Sequence, residues 1–189
     1  MRKVANKRIA RPITAKYLQN AATFYLERYP STAEGLRRVL TRRVAKAKML
    51  DAPVMDNVKQ AIEAVVARFV DAGVIDDKAF AQTKARALHR RGTSTKLTRR
   101  RLQMAGVDGA TLDTAMSALD QELDTNPRQR EWQAAVALAR RRKLGPYRPL
   151  TERKDKRNRD LAAMARAGFD YDVARKVIDA TDVDALDEG

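Results

Sequence analysis

Apolar residues recur along this chain at three- and four-residue intervals, and no stretch sustains the strict alternation of a half-buried strand, so the pattern predicts helices throughout. The first runs from Ala15 to Arg28 and stops at Tyr29-Pro30, because proline disfavours helix in the residue before it. Ser31-Thr32-Ala33-Glu34 has the spacing of a capping box, which starts a second helix with Leu36, Val39 and Leu40 as its apolar stripe and Arg37, Arg38 and Arg42 pointing away from it. A third, from Met55 to Asp71, carries Val58, Ile62, Val65, Val66 and Phe69 and ends at Gly73. The next opens at Asp76-Asp77, whose acids suit a helix N-terminus, and runs through Phe80, Ala81 and Leu88 to Gly92. Thr93-Ser94 starts a fifth that Gly106 closes, and Leu112, Ala115, Met116 and Leu119 mark a short acidic sixth. Trp132, Val136 and Leu138 lead to Arg140-Arg141-Arg142-Lys143, then to a breaker at Gly145-Pro146-Tyr147-Arg148-Pro149. An eighth helix from Arg153 to Ala167 and a ninth with Val173, Ala174, Val177 and Ile178 buried complete the series.

These helices come in threes. Sliding the chain against itself by 62 positions places Leu26 on Leu88, Ser31 on Thr93, Arg37 on Arg99, Arg38 on Arg100 and Leu40 on Leu102. The same shift further along places Leu102 on Met164, Gly106 on Gly168, Asp108 on Asp170 and Met116 on Ile178. Insertions at 45–53 and 144–151 lengthen two connections. The expected organisation is a basic N-terminal tail (1–14), three-helix repeats at 15–74, 75–125 and 126–180, and an acidic C-terminal tail (181–189). The fold class is then all-α, an elongated array of three tandem three-helix repeats in which each unit touches mainly its neighbours.

Charge follows the same period. Lys and Arg total 39 against 24 Asp and Glu, a formal +15, enough to attract a polyanion. Residues 79–107 hold 8 basic side chains and no acid, whereas 108–127 hold 5 acids and no base, so the basic surface is segregated. Arg37, Arg38, Arg42, Arg90, Arg91, Lys96, Arg99, Arg100, Arg140 and Arg141 are the candidate binding residues, since arginine forks match phosphate and carboxylate geometry. A solvated helix face is the competing reading; the recurrence of Arg37-Arg38 as Arg99-Arg100 favours a ligand. Residues Arg2, Lys3, Lys7, Arg8 and Arg11 read as a disordered basic arm that lies on DNA or solubilises the chain. The acidic end from Asp179 to Glu188 reads as a disordered tail that screens the basic faces.

Catalytic signatures are missing. There is no cysteine, no GxxxxGK[ST] loop, no GxGxxG after a strand and no GxSxG. His89 is the only histidine and lacks an HExxH setting, and Asp76-Asp77 reads as a cap rather than a metal site. Trp132 and Tyr147 are too scattered for a base-stacking platform. The expectation is a protein that is not an enzyme, with no cofactor and no metal. No apolar run approaches the roughly 18 residues of a membrane helix, and no signal peptide opens the chain, so a cytoplasmic protein without a membrane partner is expected.

The stretch Gly73-Val74-Ile75-Asp76-Asp77-Lys78-Ala79-Phe80-Ala81 resembles the most recognisable segment of the RecX regulatory proteins, and Arg91-Gly92 through Leu102 to Gly106-Val107 resembles the next segment of those proteins. Tyr25-Leu26-Glu27-Arg28 with Ser31 through Leu40 is similar to the family's first repeat, and Met164 through Phe169 to its third. The resemblance covers roughly residues 17–180. It implies three tandem three-helix repeats and a modulator that binds the RecA-DNA filament and suppresses RecA's ATPase, strand exchange and co-protease activity. It implies RecA, as nucleoprotein filament, and single- and double-stranded DNA as partners of a monomer, with the ten basic residues above touching RecA or DNA. The alternative is a stand-alone basic helical DNA- or RNA-binding protein.

Overall fold

The computed structural model describes residues 11–186. Among them nine α-helices follow one another: α1 Ala15–Leu26, α2 Ala33–Met49, α3 Val58–Asp71, α4 Asp77–Arg90, α5 Thr95–Ala105, α6 Gly109–Glu122, α7 Pro127–Arg142, α8 Leu150–Arg166 and α9 Tyr171–Ile178. Two short 3-10 turns, Gly145–Tyr147 and Asp184–Leu186, and one isolated bridge between Ile13 and Val54 are the remaining regular structure there. The fold is all-α, as the periodicity predicts. The chain divides between Phe80 and Ala81 into two compact units.

In the first unit α1 and α2 both pack on α3. Leu18, Leu36 and Leu40 are fully buried and meet Ile62, Val65 and Val66 of α3, the stripes that three- and four-residue spacing lays on one helix face. Burying each such side chain contributes about 1.5–3 kcal/mol. Ile13 is buried too, and its amide donates to the Pro53 carbonyl at 2.8 Å. The expected tail therefore ends in the core at Ile13; the basic arm at residues 1–10 lies outside the described residues, and Arg11 is exposed.

Several local expectations shift. The capping box does not form: Thr32, not Ser31, caps α2, accepting from the Gly35 amide at 2.9 Å, while Arg37 and Arg38 take the Glu34 carboxylate. Ser31 instead donates to the Thr32 carbonyl. Residues 45–49, read as part of an insertion, continue α2 to Met49, because Val44 and Ala47 extend its buried stripe. Helix α1 ends two residues early at Leu26, α3 starts three late at Val58, and α8 starts three early at Leu150, after the breaker.

Several positions 62 residues apart share local geometry. Thr32 and Ser94 are the N-caps of α2 and α5, Asp108 and Asp170 occupy the N-cap positions of α6 and α9, where the Asp108 side chain makes a capping bond and that of Asp170 makes none, and Gly106 and Gly168 both adopt positive φ, at 96° and 88°. The first amide of α2, at Ala33, donates to Asp77 at 2.8 Å; the first amide of α5, 62 residues on at Thr95, donates to Glu131 at 2.7 Å. In both cases a carboxylate from the next triplet's first helix caps the second helix of the triplet before it. Asp76 keeps the expected capping role at α4, accepting from the Ala79 amide.

The second unit buries Leu88, Leu102, Leu112 and Met116 among α4–α6, and Leu138, Met164, Phe169 and Val177 among α7–α9. Residues 179–186, expected to be a free acidic tail, are tied down. Asp179 receives both Nε and Nη2 of Arg157, Arg153 donates to the Thr181 carbonyl, the Trp132 indole donates to the Leu186 carbonyl at 3.0 Å, and Leu186 is buried. The apolar Leu186 and the paired Asp179 outweigh the charge of the segment; the end of the expected tail, 187–189, lies outside the described residues.

Candidate nucleic-acid interface

On α2 the sequence places Arg37, Arg38 and Arg42 on one exposed face, and the structure lines an open groove of about 570 Å³ with them. Arg37 is already engaged: Nε and Nη2 reach the two Glu63 oxygens at 2.7 and 2.9 Å, and Nη1 reaches Glu34 at 2.6 Å. These bonds hold the Glu34 and Glu63 carboxyls below their ordinary range and the Arg37 guanidinium above its own. Arg38 shares Glu34 at 2.8 Å, so this face carries less unbalanced charge than its sequence suggests.

The second unit differs. The turn between α4 and α5 passes so close to α7 that Gly92, at φ +68°, has no room for a side chain: a Cβ there would lie 2.6 Å from the Leu138 Cα and 2.7 Å from the Ala134 carbonyl oxygen. Ala134, Ala135 and Ala139 give α7 the small face that permits this approach. The turn after α8 closes on α5 in the same way: Gly168, at φ +88°, packs on Ser94 and Leu97, and the Ser94 amide donates to the Ala167 carbonyl at 3.3 Å. Both turns use the positive φ that glycine adopts at little cost.

These two close approaches gather arginines from four elements. Arg91 from the α4–α5 turn, Arg101 from α5, Arg141 and Arg142 from the end of α7 and Arg166 from the end of α8 line one cleft of about 330 Å³. Its floor is Leu97, Leu138 and Ala163, and no carboxylate lines it. None of the five arginines makes an ion pair among the described residues, in contrast to Arg37, Arg86, Arg99, Arg130, Arg148 and Arg157. Arg166 also borders an adjoining groove of about 640 Å³ with Lys96, Arg99 and Arg100, where Arg99 is held by Asp113 at 2.6 Å.

Of the ten residues expected from sequence, Arg91 and Arg141 lie in the arginine cleft, Lys96, Arg99 and Arg100 in the adjoining groove, and Arg37, Arg38 and Arg42 on α2 in the other unit. Arg90 is exposed on the last turn of α4 and lines neither cleft, and the exposed Arg140 lies 5.9 Å from the Tyr147 ring centre. Those ten omit Arg101, Arg142 and Arg166. The first two stand in visible basic runs; Arg166 sits alone among alanines, and nothing local marks it.

Two buried charges also lack a sequence signal, and both are structural. Arg130, 5% exposed, pairs with Asp120 and reaches the Met116 carbonyl. Asp160, 1% exposed, accepts from Arg148 at 2.7 and 2.9 Å and from the Gly145 amide at 3.0 Å, which fixes the breaker loop against α8. His89 shares a small polar void with Arg130, Thr95 and Thr98; burial first, then the Arg130 charge, push its pKa below the ordinary histidine value. No three side chains of metal-ligating type converge, and no helix is long and apolar enough to cross a membrane, among the described residues.

No family model matches the chain. It is 38% identical over 172 residues to "Regulatory protein RecX" of Myxococcus xanthus (strain DK1622), spanning 90% of this chain and 88% of that protein. It is 30% identical over 171 residues to the protein of the same name from Agrobacterium fabrum, spanning 90% and 86%. Among solved structures, that of RecX from Lactobacillus salivarius superposes with a TM-score of 0.55 at 19% identity, over 93% of this chain and 97% of that one. A second crystal structure, of regulatory protein RecX, gives 0.54 at 19% identity, over 88% and 72%. At such identity the structures establish the helical fold alone.

Proposed function

The chain belongs to the RecX family of regulatory proteins, and from that premise we propose that it binds the RecA-DNA filament and lowers RecA's ATPase, strand-exchange and co-protease activities. It thereby modulates recombination, DNA repair and the SOS response, as a cytoplasmic monomer that performs no catalysis of its own. The repeats at 15–74, 75–125 and 126–180 are its docking modules.

The observation that carries the reading is the cleft of five arginines without ion-pair partners in the second unit. A nucleoprotein filament offers phosphates and acidic protein surface together, and a guanidinium fork fits both. The α2 groove, with Arg37 and Arg38 already oriented by Glu34 and Glu63, offers a second basic edge in the first unit. The same cleft would also serve a stand-alone DNA- or RNA-binding protein, which is the competing reading.

The test is RecA's single-strand-dependent ATPase rate, with this protein titrated at fixed salt from far below to equal with the RecA concentration. Inhibition well below one-to-one is expected, because one molecule then acts on many protomers of a filament. A folded protein that binds DNA and leaves the rate unchanged would move the assignment to the stand-alone binder.

A further inference from the structure

We infer that the arginine cleft of the second unit seats the phosphodiester backbone of a single nucleic-acid strand, and that it does so without reading base sequence. This rests on the proposed function only for the setting in which the strand is met; it deepens that reading by naming which basic surface takes the nucleic acid.

The first reason is that the cleft is built. Arg91, Arg101, Arg141, Arg142 and Arg166 come from four elements whose approach requires glycine at 92 and 168, so the fold holds five like charges around one concavity. Arginine at the ends of α7 and α8 does complement the helix dipoles, which accounts for each such residue singly. It does not account for their meeting in one cleft with Arg91 and Arg101 and no carboxylate. An anion entering there finds several guanidinium forks at once.

The second reason is the shape and lining. About 330 Å³ has room for a sugar-phosphate segment but not for a duplex. The floor of Leu97, Leu138 and Ala163 is aliphatic, and no aromatic ring lines the cleft, so it lacks the stacking platform on which unpaired bases are held. Contacts from arginine to phosphate position a strand without carrying sequence information. The α2 groove is the weaker candidate, because Arg37 and Arg38 already hold carboxylates.

The experiment measures binding of a fluorescent oligo-dT to the full chain by anisotropy across a salt series, for wild type, for Arg101→Gln/Arg141→Gln/Arg166→Gln and for the charge-matched control Lys16→Gln/Lys59→Gln/Lys154→Gln. Losing three phosphate contacts should flatten the log-log salt slope by about 2, at about 0.7 per contact for a single strand, while the control keeps the wild-type slope. The single variant Arg166→Gln, expected to lose about 0.7, serves where the triple variant does not fold. An unchanged slope in the cleft variants, or an equal loss in the control, overturns the assignment. So does preference for a duplex of equal length, or for a mixed sequence over oligo-dT. RecA ATPase inhibition measured in parallel separates the two ideas. Inhibition with an unchanged slope sinks the cleft and keeps the function, whereas a flattened slope without inhibition by wild type does the reverse.

Discussion

Gly92→Ala tests the packing that makes the cleft, without touching a charge. Alanine in the left-handed conformation costs roughly 1–2 kcal/mol, and overpacking a filled contact adds typically about 1–3 kcal/mol, which sums to about 2–5 kcal/mol. The upper part of that range is expected here. The atoms that the new methyl meets, the Leu138 Cα and the Ala134 carbonyl oxygen, belong to the backbone of α7, and no side-chain rotation moves them aside. The urea dependence grows with chain size, and at the upper end of its range, about 2.5–3 kcal/mol per molar, the unfolding midpoint should fall by roughly 1–2 M. Trp132, the only tryptophan, lies on α7 in the same unit, so its emission reports the transition. Gly73→Ala is the control: at φ +66°, with nothing within 4 Å of the methyl it would gain, it bears only the conformational cost of roughly 1–2 kcal/mol, read by far-ultraviolet circular dichroism. At urea concentrations where Gly92→Ala is still folded, its oligo-dT affinity should also fall, because α4–α5 can no longer sit against α7. A midpoint shift no larger than that of Gly73→Ala would refute the claim that close approach at Gly92 shapes this unit.

Thr32→Ala should cost about 0.5–2 kcal/mol in chemical denaturation and Ser31→Ala a few tenths at most, since Thr32 caps α2; the reverse order would restore the capping box. Asp160→Ala should cost about 3–5 kcal/mol by the same assay, because it strips Arg148 of its bidentate partner and the Gly145 amide of its acceptor; a loss under about 1 kcal/mol would make the loop anchor incidental. His89 has a folded pKa depressed below the ordinary 6.5, by burial and by Arg130 against the smaller opposing pull of Asp120, so on acidification the unfolded chain takes up the proton first. Thermal stability should hold above about pH 6.5 and decline as pH falls from there toward the folded value, and His89→Gln should flatten that decline; identical profiles would remove His89 as its source. Charge reversal at Arg38, Arg42, Arg99 and Arg100 should weaken inhibition of RecA's ATPase, and undiminished inhibition would remove both grooves from the contact surface.

Much of the local structure is legible in the sequence, because its causes span only a few residues. The stripe Val58-Ile62-Val65-Val66 settles which face of α3 is buried, Asp76 caps the helix that starts beside it, and Gly106 ends α5. The correspondences at 62 residues are legible for the same reason: a cap or a left-handed glycine recurring at that spacing repeats a local instruction. Boundaries fail where a tertiary partner intervenes, as at α2, where Asp77, forty-four residues on, satisfies the Ala33 amide, while Arg37 and Arg38 on the same helix draw Glu34 away from the capping box.

By itself, then, the sequence determines an all-helical basic protein with a 62-residue period, because helical periodicity, capping and net charge are sums over near neighbours. Which of its arginines act together is decided only by tertiary structure. Arg37 and Arg99 look as exposed in the sequence as Arg91 and Arg101, yet Glu63, twenty-six residues away, neutralises Arg37, and Asp113 holds Arg99. Arg166 carries no local mark, yet the passage of Gly92 over α7 and of Gly168 over α5 sets it beside Arg91, Arg101, Arg141 and Arg142. Electrostatic fields depend on separation in space, and for these residues that separation is fixed by backbone contacts between segments far apart in the chain.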